Sequence, residues 1–417
     1  MKATMEKQRL SYIDDIRSFV IFLVVMLHSS VTYSGIGGWY ITENKSDALG
    51  LVPLVVFGFF NSFNQAWFMG ILFFFGGYFA SESIGRKGLK SFVKDRLMRL
   101  GIPLLGFMFV INPLMMYFIA YAKELRGTGT FAEFYLGKYI ASGMVWGETG
   151  PLWFVEALLI FCLVYALVLR LRSLAAAAVQ AGASVNTVST ADAGAFAAIG
   201  SSPVSRMASP AKARPSVVTL SALILVTSAA AFAIRMFFPI GTNVLNLQFC
   251  FFAAYVVLFV LGIRGATQGW FASLTSGTNS RWLAAVLCVG IPAWAAIMIF
   301  GGALSGNIAS INGGLRWQSA AYALWESFTA IGVSVGLSAV FANRRKERRA
   351  LSLFFSRNSF SVYVFHPVFL IGLTKLLGAW LVPPLLKALL VGLSAFALSM
   401  AFAELVVRRI PFVGKYF

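Results

Sequence analysis

Of the 417 residues, 59% are hydrophobic and only 12% are charged, which is too little polar surface to clothe a water-soluble globule of this length, so the chain's solvent is lipid. The formal charge of +19 would suit a nucleic-acid binder if the basic residues shared one folded surface with aromatic groups. They lie instead between apolar runs, where they set orientation and meet anionic headgroups, so membrane lipids and not nucleic acid are the expected partners.

Apolar runs near the ~20 residues that cross a bilayer recur at 16–34, 54–80, 101–121, 152–171, 217–238, 247–263, 282–301, 319–341, 360–380 and 383–407. The pattern predicts an all-α polytopic bundle of about ten transmembrane helices, forming one domain over 1–417. The first run begins too late and ends too polar for a cleaved signal, so it reads as a retained helix. The second is longer than a straight crossing needs and calls for a tilt, a kink near Gly70 or an extension beyond the bilayer. Cys162, Cys250 and Cys288 all fall within these runs, as small hydrophobes and not as a disulfide framework or a metal set. An even number of spans puts both termini on one side. All of the 34 Lys and Arg residues fall on that side except Lys45, Lys123, Arg126, Lys138, Arg235, Arg316, Lys375 and Lys387, so both termini are expected in the cytoplasm. Residues 173–215 are rich in Ala, Ser, Gly and Pro and predict a disordered cytoplasmic linker. No internal repeat is evident, which counts against an inverted-repeat transporter.

Chemistry is carried by the few polar residues inside or beside the spans. Arg17 and His28 are eleven residues apart, so they share a helix face and lie ~16 Å apart along the axis. Asp14, three residues before Arg17, is placed to pair with it at the cytoplasmic mouth. An ionisable group at depth faces a cavity or the bundle interior, and His28 has the chemistry of a general base; the alternative is an imidazole that only ties helices together. His366 lies roughly two turns into the ninth run. The following Pro367 frees a carbonyl one turn back and implies a bend, and a structural and a catalytic role stand side by side. Glu156 and Glu326 are further candidates for supporting a histidine or a sugar hydroxyl. Between the second and third runs, Arg86, Lys87, Lys90, Lys94, Arg96 and Arg99 form a basic segment of the kind that lies on acidic lipid. Arg96 and Arg99 are spaced to point the same way before the helix-breaking Gly101 and Pro103, as a fork for phosphates such as those of coenzyme A.

These segments together resemble the acyltransferase 3 family of membrane O-acyltransferases. The match is carried by Ile13-Asp14-Asp15-Ile16-Arg17 with ten residues before His28, and by Trp67-Phe68-Met69 followed by Phe73-Phe74-Phe75-Gly76-Gly77-Tyr78-Phe79. It continues in Arg96-Leu97-Met98-Arg99-Leu100 with Pro103, then Leu152-Trp153-Phe154, then Tyr363 to His366. Gly76 stands where that family has Ser, which removes a hydroxyl from that position. The resemblance implies an acyl-CoA donor, acetyl-CoA or succinyl-CoA, engaged from the cytoplasm near Arg96 and Arg99 as a co-substrate, with no permanently bound cofactor and no metal. It implies a carbohydrate or glycolipid acceptor whose hydroxyl is reached near His28, with Asp14 and Arg17 positioning donor or histidine. A bacterial inner membrane is the expected location, and the layout suggests a membrane-only form nearest the glucan succinyl- or acetyltransferases. The competing readings are a proton-coupled transporter or flippase of an envelope-polysaccharide precursor, which also builds relays from buried His, Glu and Arg, and a scaffold.

Overall fold

Among the described residues, ten helices long and apolar enough to cross a membrane make up the bundle: α1 (Ser11–Ser34), α2 (Leu51–Lys87), α3 (Leu89–Ala120), α4 (Gly150–Val179), α5 (Val217–Arg235), α6 (Phe249–Gln268), α7 (Ser280–Ser305), α8 (Trp317–Asn343), α9 (Ala350–Leu376) and α10 (Pro384–Arg409). The computed structural model describes residues 11–127, 129–185, 215–273, 277–343 and 350–411. The predicted fold class is therefore the observed one. Residues 173–185, expected to begin the linker, instead continue the fourth helix to Val185, because the run from Ala175 to Ala178 has the best intrinsic helix propensity. The remainder, 186–214, lies outside the described residues.

Enclosure differs sharply between helices. In its most apolar window α8 is 72% buried, whereas α7 is 17% and α5 22% buried, so α8 is a core helix and the other two turn most of their surface outward, where lipid is their natural contact. Helix α1 is surrounded by α2, α8, α9 and α10. The second helix has 37 residues and is about 55 Å long, well beyond the ~30 Å of hydrocarbon, so it projects past the bilayer. It runs unbroken through Gly70.

Helices α2 and α6 pack backbone against backbone. A Cβ on Gly77 would fall 2.0 Å from the Phe259 carbonyl oxygen, and one on Gly262 would fall 1.9 Å from that of Phe74. Only two glycines let these backbones touch. The aromatic run before Gly77 is accordingly core: Phe73, Phe74 and Phe75 are all buried.

Gly101 and Pro103 do not end α3, contrary to expectation. A π-helical turn at Leu97–Gly101 precedes Pro103, another at Phe107–Ile111 precedes Pro113, and in α7 a third at Val286–Gly290 precedes Pro292. Proline withholds a backbone donor and crowds the preceding turn, and a locally widened turn lets the helix continue past it.

Candidate active site

His28 lies near the Ser34 end of α1, and its neighbours fix that end against α10 and α2. Ser29 Oγ donates to the Ala388 carbonyl of α10 at 2.6 Å, and Ser30 Oγ donates to Asn61 Oδ1 of α2 at 2.6 Å. Asn61 Nδ2 in turn donates to the Ile36 carbonyl at 3.0 Å, which ties the connection after α1 to α2. Close packing of α10 on α1 requires Gly392, where a Cβ would meet Met26 Sδ at 2.9 Å.

His366 comes from α9, which begins at Ala350 and not at 360. The ring therefore lies about four turns into the helix, deeper than the sequence suggested. His28 Nδ1 and His366 Nε2 are 2.9 Å apart, with the two rings within 7° of parallel. The far nitrogen of His366, Nδ1, is 2.8 Å from the Tyr363 carbonyl oxygen. A carbonyl only accepts, so in the neutral pair Nδ1 of His366 carries its proton and Nε2 offers a lone pair to His28 Nδ1–H. His28 Nε2 is left with a free lone pair, and no described residue bonds to it. His366 is fully buried, whereas His28 remains partly accessible. The more deeply buried ring thus orients the other.

Trp39, in the connection between α1 and α2, lies over this pair. Its indole stacks on His28 with centroids 3.8 Å apart and planes 15° apart. Beyond it, Tyr40 Oη donates to Asn112 Oδ1 of α3 at 2.7 Å, and Tyr121 Oη donates to the Tyr40 carbonyl at 2.8 Å. Asn112 Nδ2 lies 3.2 Å from both the Glu148 carbonyl oxygen and Tyr139 Oη. Burial raises the Glu148 carboxyl above the ordinary carboxylate range, opposed by its Asn112 hydrogen bond. Gly150 follows with φ +50°, and a Cβ there would sit 2.2 Å from Tyr40 Oη. Asn246 Nδ2 reaches the Gly150 carbonyl at 2.8 Å, and Tyr363 Oη donates to that of Pro151. The loop carrying Trp39 is also latched by an ion pair from Glu43 to Lys387 of α10.

The other sequence candidates are dispersed. Asp14 and Arg17 pair at 3.7 Å, as their spacing predicted. With ~16 Å of helix between Arg17 and His28 and ~21 Å between Asp14 and His28, and with Ile21 and Val24 buried on the intervening stripe, neither touches the imidazole. Arg96 is half-buried with its guanidinium 5.2 Å from the Phe92 ring centroid, while Arg99 is exposed. A π turn, Leu97–Gly101, follows Arg96 and contains Arg99. Glu326 supports neither histidine; it is ion-paired with Arg235 of α5, and both are buried. Glu156 has a buried Oε2 with no partner among the described residues and makes no bond to either ring. Trp39, Tyr40, Asn112 and Glu148 were not singled out from the sequence; Asn112 had a usable signal, an amide followed by proline inside an apolar span.

The profile of the acyltransferase 3 family, described as an acyltransferase domain, matches residues 10–404. Among curated proteins, glucans biosynthesis protein C of Shigella dysenteriae serotype 1 (strain Sd197) is 26% identical over 153 residues, covering 37% of this chain and 37% of that protein. The protein of the same name from Escherichia coli O157:H7 (strain EC4115 / EHEC) gives the same identity and coverage, so the similarity spans little more than a third of these relatives. No solved structure matches the chain. The family profile covers nearly the whole sequence, α1 and α9 with their histidines included, and the chain belongs to the acyltransferase 3 family of integral membrane acyltransferases.

Proposed function

We propose that this acyltransferase moves an acetyl or succinyl group from a cytoplasmic acyl-CoA to a hydroxyl of a carbohydrate or glycolipid in a bacterial inner membrane. The observation that carries the reading is the oriented histidine pair, whose hydrogen bonds leave His28 Nε2 as the nitrogen without a proton. In the step envisaged, His28 Nε2 takes the proton of the acceptor hydroxyl as its oxygen attacks the thioester carbonyl. The tetrahedral intermediate expels the thiolate, which recovers the proton from His28 and leaves as free coenzyme A. Imidazolium forms only transiently, and His366 Nε2 accepts from it throughout.

With both termini in the cytoplasm, Arg17, Arg96 and Arg99 face the donor side, and their role in this reading is to hold the donor's phosphates, while Asp14 orients Arg17. The buried, unpartnered Glu156 oxygen is the kind of acceptor a sugar hydroxyl can use. The relatives named for glucan biosynthesis support a polysaccharide-related acceptor, and family membership favours transfer over transport. The test compares envelope glycans of cells carrying the parent protein, the His28→Ala variant and no protein, by mass spectrometry. An acyl mass increment present with the parent and absent from the other two is expected. An increment that survives in His28→Ala removes the proposed base.

A further inference from the structure

Proline has no backbone N–H, so a proline inside a helix leaves the carbonyl four residues earlier without its helical donor. In α9 the proline is Pro367, and the carbonyl it vacates is that of Tyr363. The helix continues through this point. The vacated oxygen is the one that lies 2.8 Å from His366 Nδ1. The residue just before the proline thus has its ring held by the oxygen that the proline released.

We infer that Pro367 is a positioning residue that sets the tautomers of both histidines, by reserving the Tyr363 carbonyl for His366 Nδ1. Reservation keeps the His366 proton on Nδ1, so Nε2 accepts, His28 Nδ1 donates across the 2.9 Å contact, and His28 Nε2 stays bare. A residue with an N–H at 367 would restore the helical bond to that oxygen and compete for it. His366 could then carry its proton on Nε2. His28 Nδ1 would become the acceptor, and the His28 proton would move to Nε2, the nitrogen that general-base chemistry needs empty. The inference rests on the proposed role of His28 for its consequence, but the tautomers themselves can be read without any reaction.

The chain has only two histidines, so ¹⁵N-histidine labelling of the full-length protein in lipid bilayers reports two rings by solid-state NMR. In the parent at alkaline pH both rings are expected as the Nδ1–H form. In Pro367→Ala an Nε2–H population should appear on both. Acyl transfer should fall about five- to tenfold in kcat with KM unchanged, the effect of one neutral hydrogen bond, while thermal stability holds or rises because alanine restores a helical bond. A purely structural proline would instead lose stability and activity together. Pro367→Ser restores the same N–H behind a different side chain and should repeat the tautomer shift. A parent His366 in the Nε2–H form, unchanged tautomers in both variants, or shifted tautomers with undiminished kcat would overturn the inference. If the tautomers shift as described but the parent itself transfers no acyl group, the inference about Pro367 stands and the proposed function falls.

Discussion

The hydrogen bond between His28 and His366 has only one polarity available to it in the neutral pair, because the second nitrogen of His366 is committed to the Tyr363 carbonyl. Among the described residues no carboxylate stands behind the pair; its terminus is a backbone oxygen. His366 therefore contributes by holding the His28 ring and accepting from it when charged. A hydrogen bond to a charged group is worth about 1.5–3 kcal/mol, so His366→Leu should lower kcat by roughly 10- to 100-fold. His366→Gln, which offers an amide oxygen, should recover part of that loss. Steady-state kinetics in membrane vesicles with labelled acyl-CoA would check this, and equal activity of the Leu variant and the parent would reduce His366 to packing.

Trp39 bears on the same charge from the other direction. Its indole lies 3.8 Å from the His28 ring, centroid to centroid, so protonation of His28 places a cation against a desolvated aromatic face, a contact worth up to about 2 kcal/mol. Trp39→Phe keeps a π face and should hold activity within a few-fold. Trp39→Leu fills space without one and should lose about tenfold or more in kcat, with donor KM unchanged. Equal impairment of the two variants would mean that size alone matters there.

Much of the bundle was legible because crossing a bilayer demands long apolar runs, and ten such runs each overlap a helix, although α3 and α9 begin at Leu89 and Ala350, well ahead of the expected 101 and 360. The Asp14–Arg17 pair was legible for a local reason, three residues on one helix. The meeting of His28 and His366 was not, since the two are 338 positions apart and nothing in either segment specifies which helix it packs against. Arg235 looked like a cation at a membrane face because it ends an apolar run, and its partner Glu326 is 91 positions away. Trp39 follows Gly37 and Gly38 in a connection with no periodicity to read. The π turn that begins at Leu97 was not legible either, and the spacing argument for Arg96 and Arg99 assumed the ordinary helical pitch.

Glu148 gives a pH signature outside the spans. Burial raises its pKa in the folded protein, so the neutral acid is the form that the fold prefers. For a group raised in this way the stabilising contribution is complete below the unfolded-state value of ~4.3 and is lost as pH rises through the folded value. Glu148→Gln is neutral at every pH. The melting temperature of the detergent-solubilised parent should therefore fall relative to that of Glu148→Gln as pH rises from about 4, and the difference should level off once Glu148 has ionised. A difference that stays constant across the titration would show that burial exerts no such penalty on this carboxylate.

Arg235 and Glu326 pose the remaining question about the candidate carboxylates, whether Glu326 serves chemistry or only the fold. The pair joins α5 to α8 with both side chains buried, and the guanidinium lies 5.8 and 5.5 Å from the ring centroids of Phe251 and Tyr322. Removing one member strands the other charge in a low-dielectric interior, which costs about 3–5 kcal/mol. Replacing both with apolar residues of similar size removes the charge and the desolvation penalty together, and is often neutral or stabilising. Arg235→Met and Glu326→Leu should each lower the melting temperature strongly, and the double variant should recover most of the loss. If the pair is purely a fastening between two helices, acyl transfer should return with stability in the double variant. Recovered stability without recovered activity would instead place Glu326 in the chemistry, and would require a path from this cluster to the histidines.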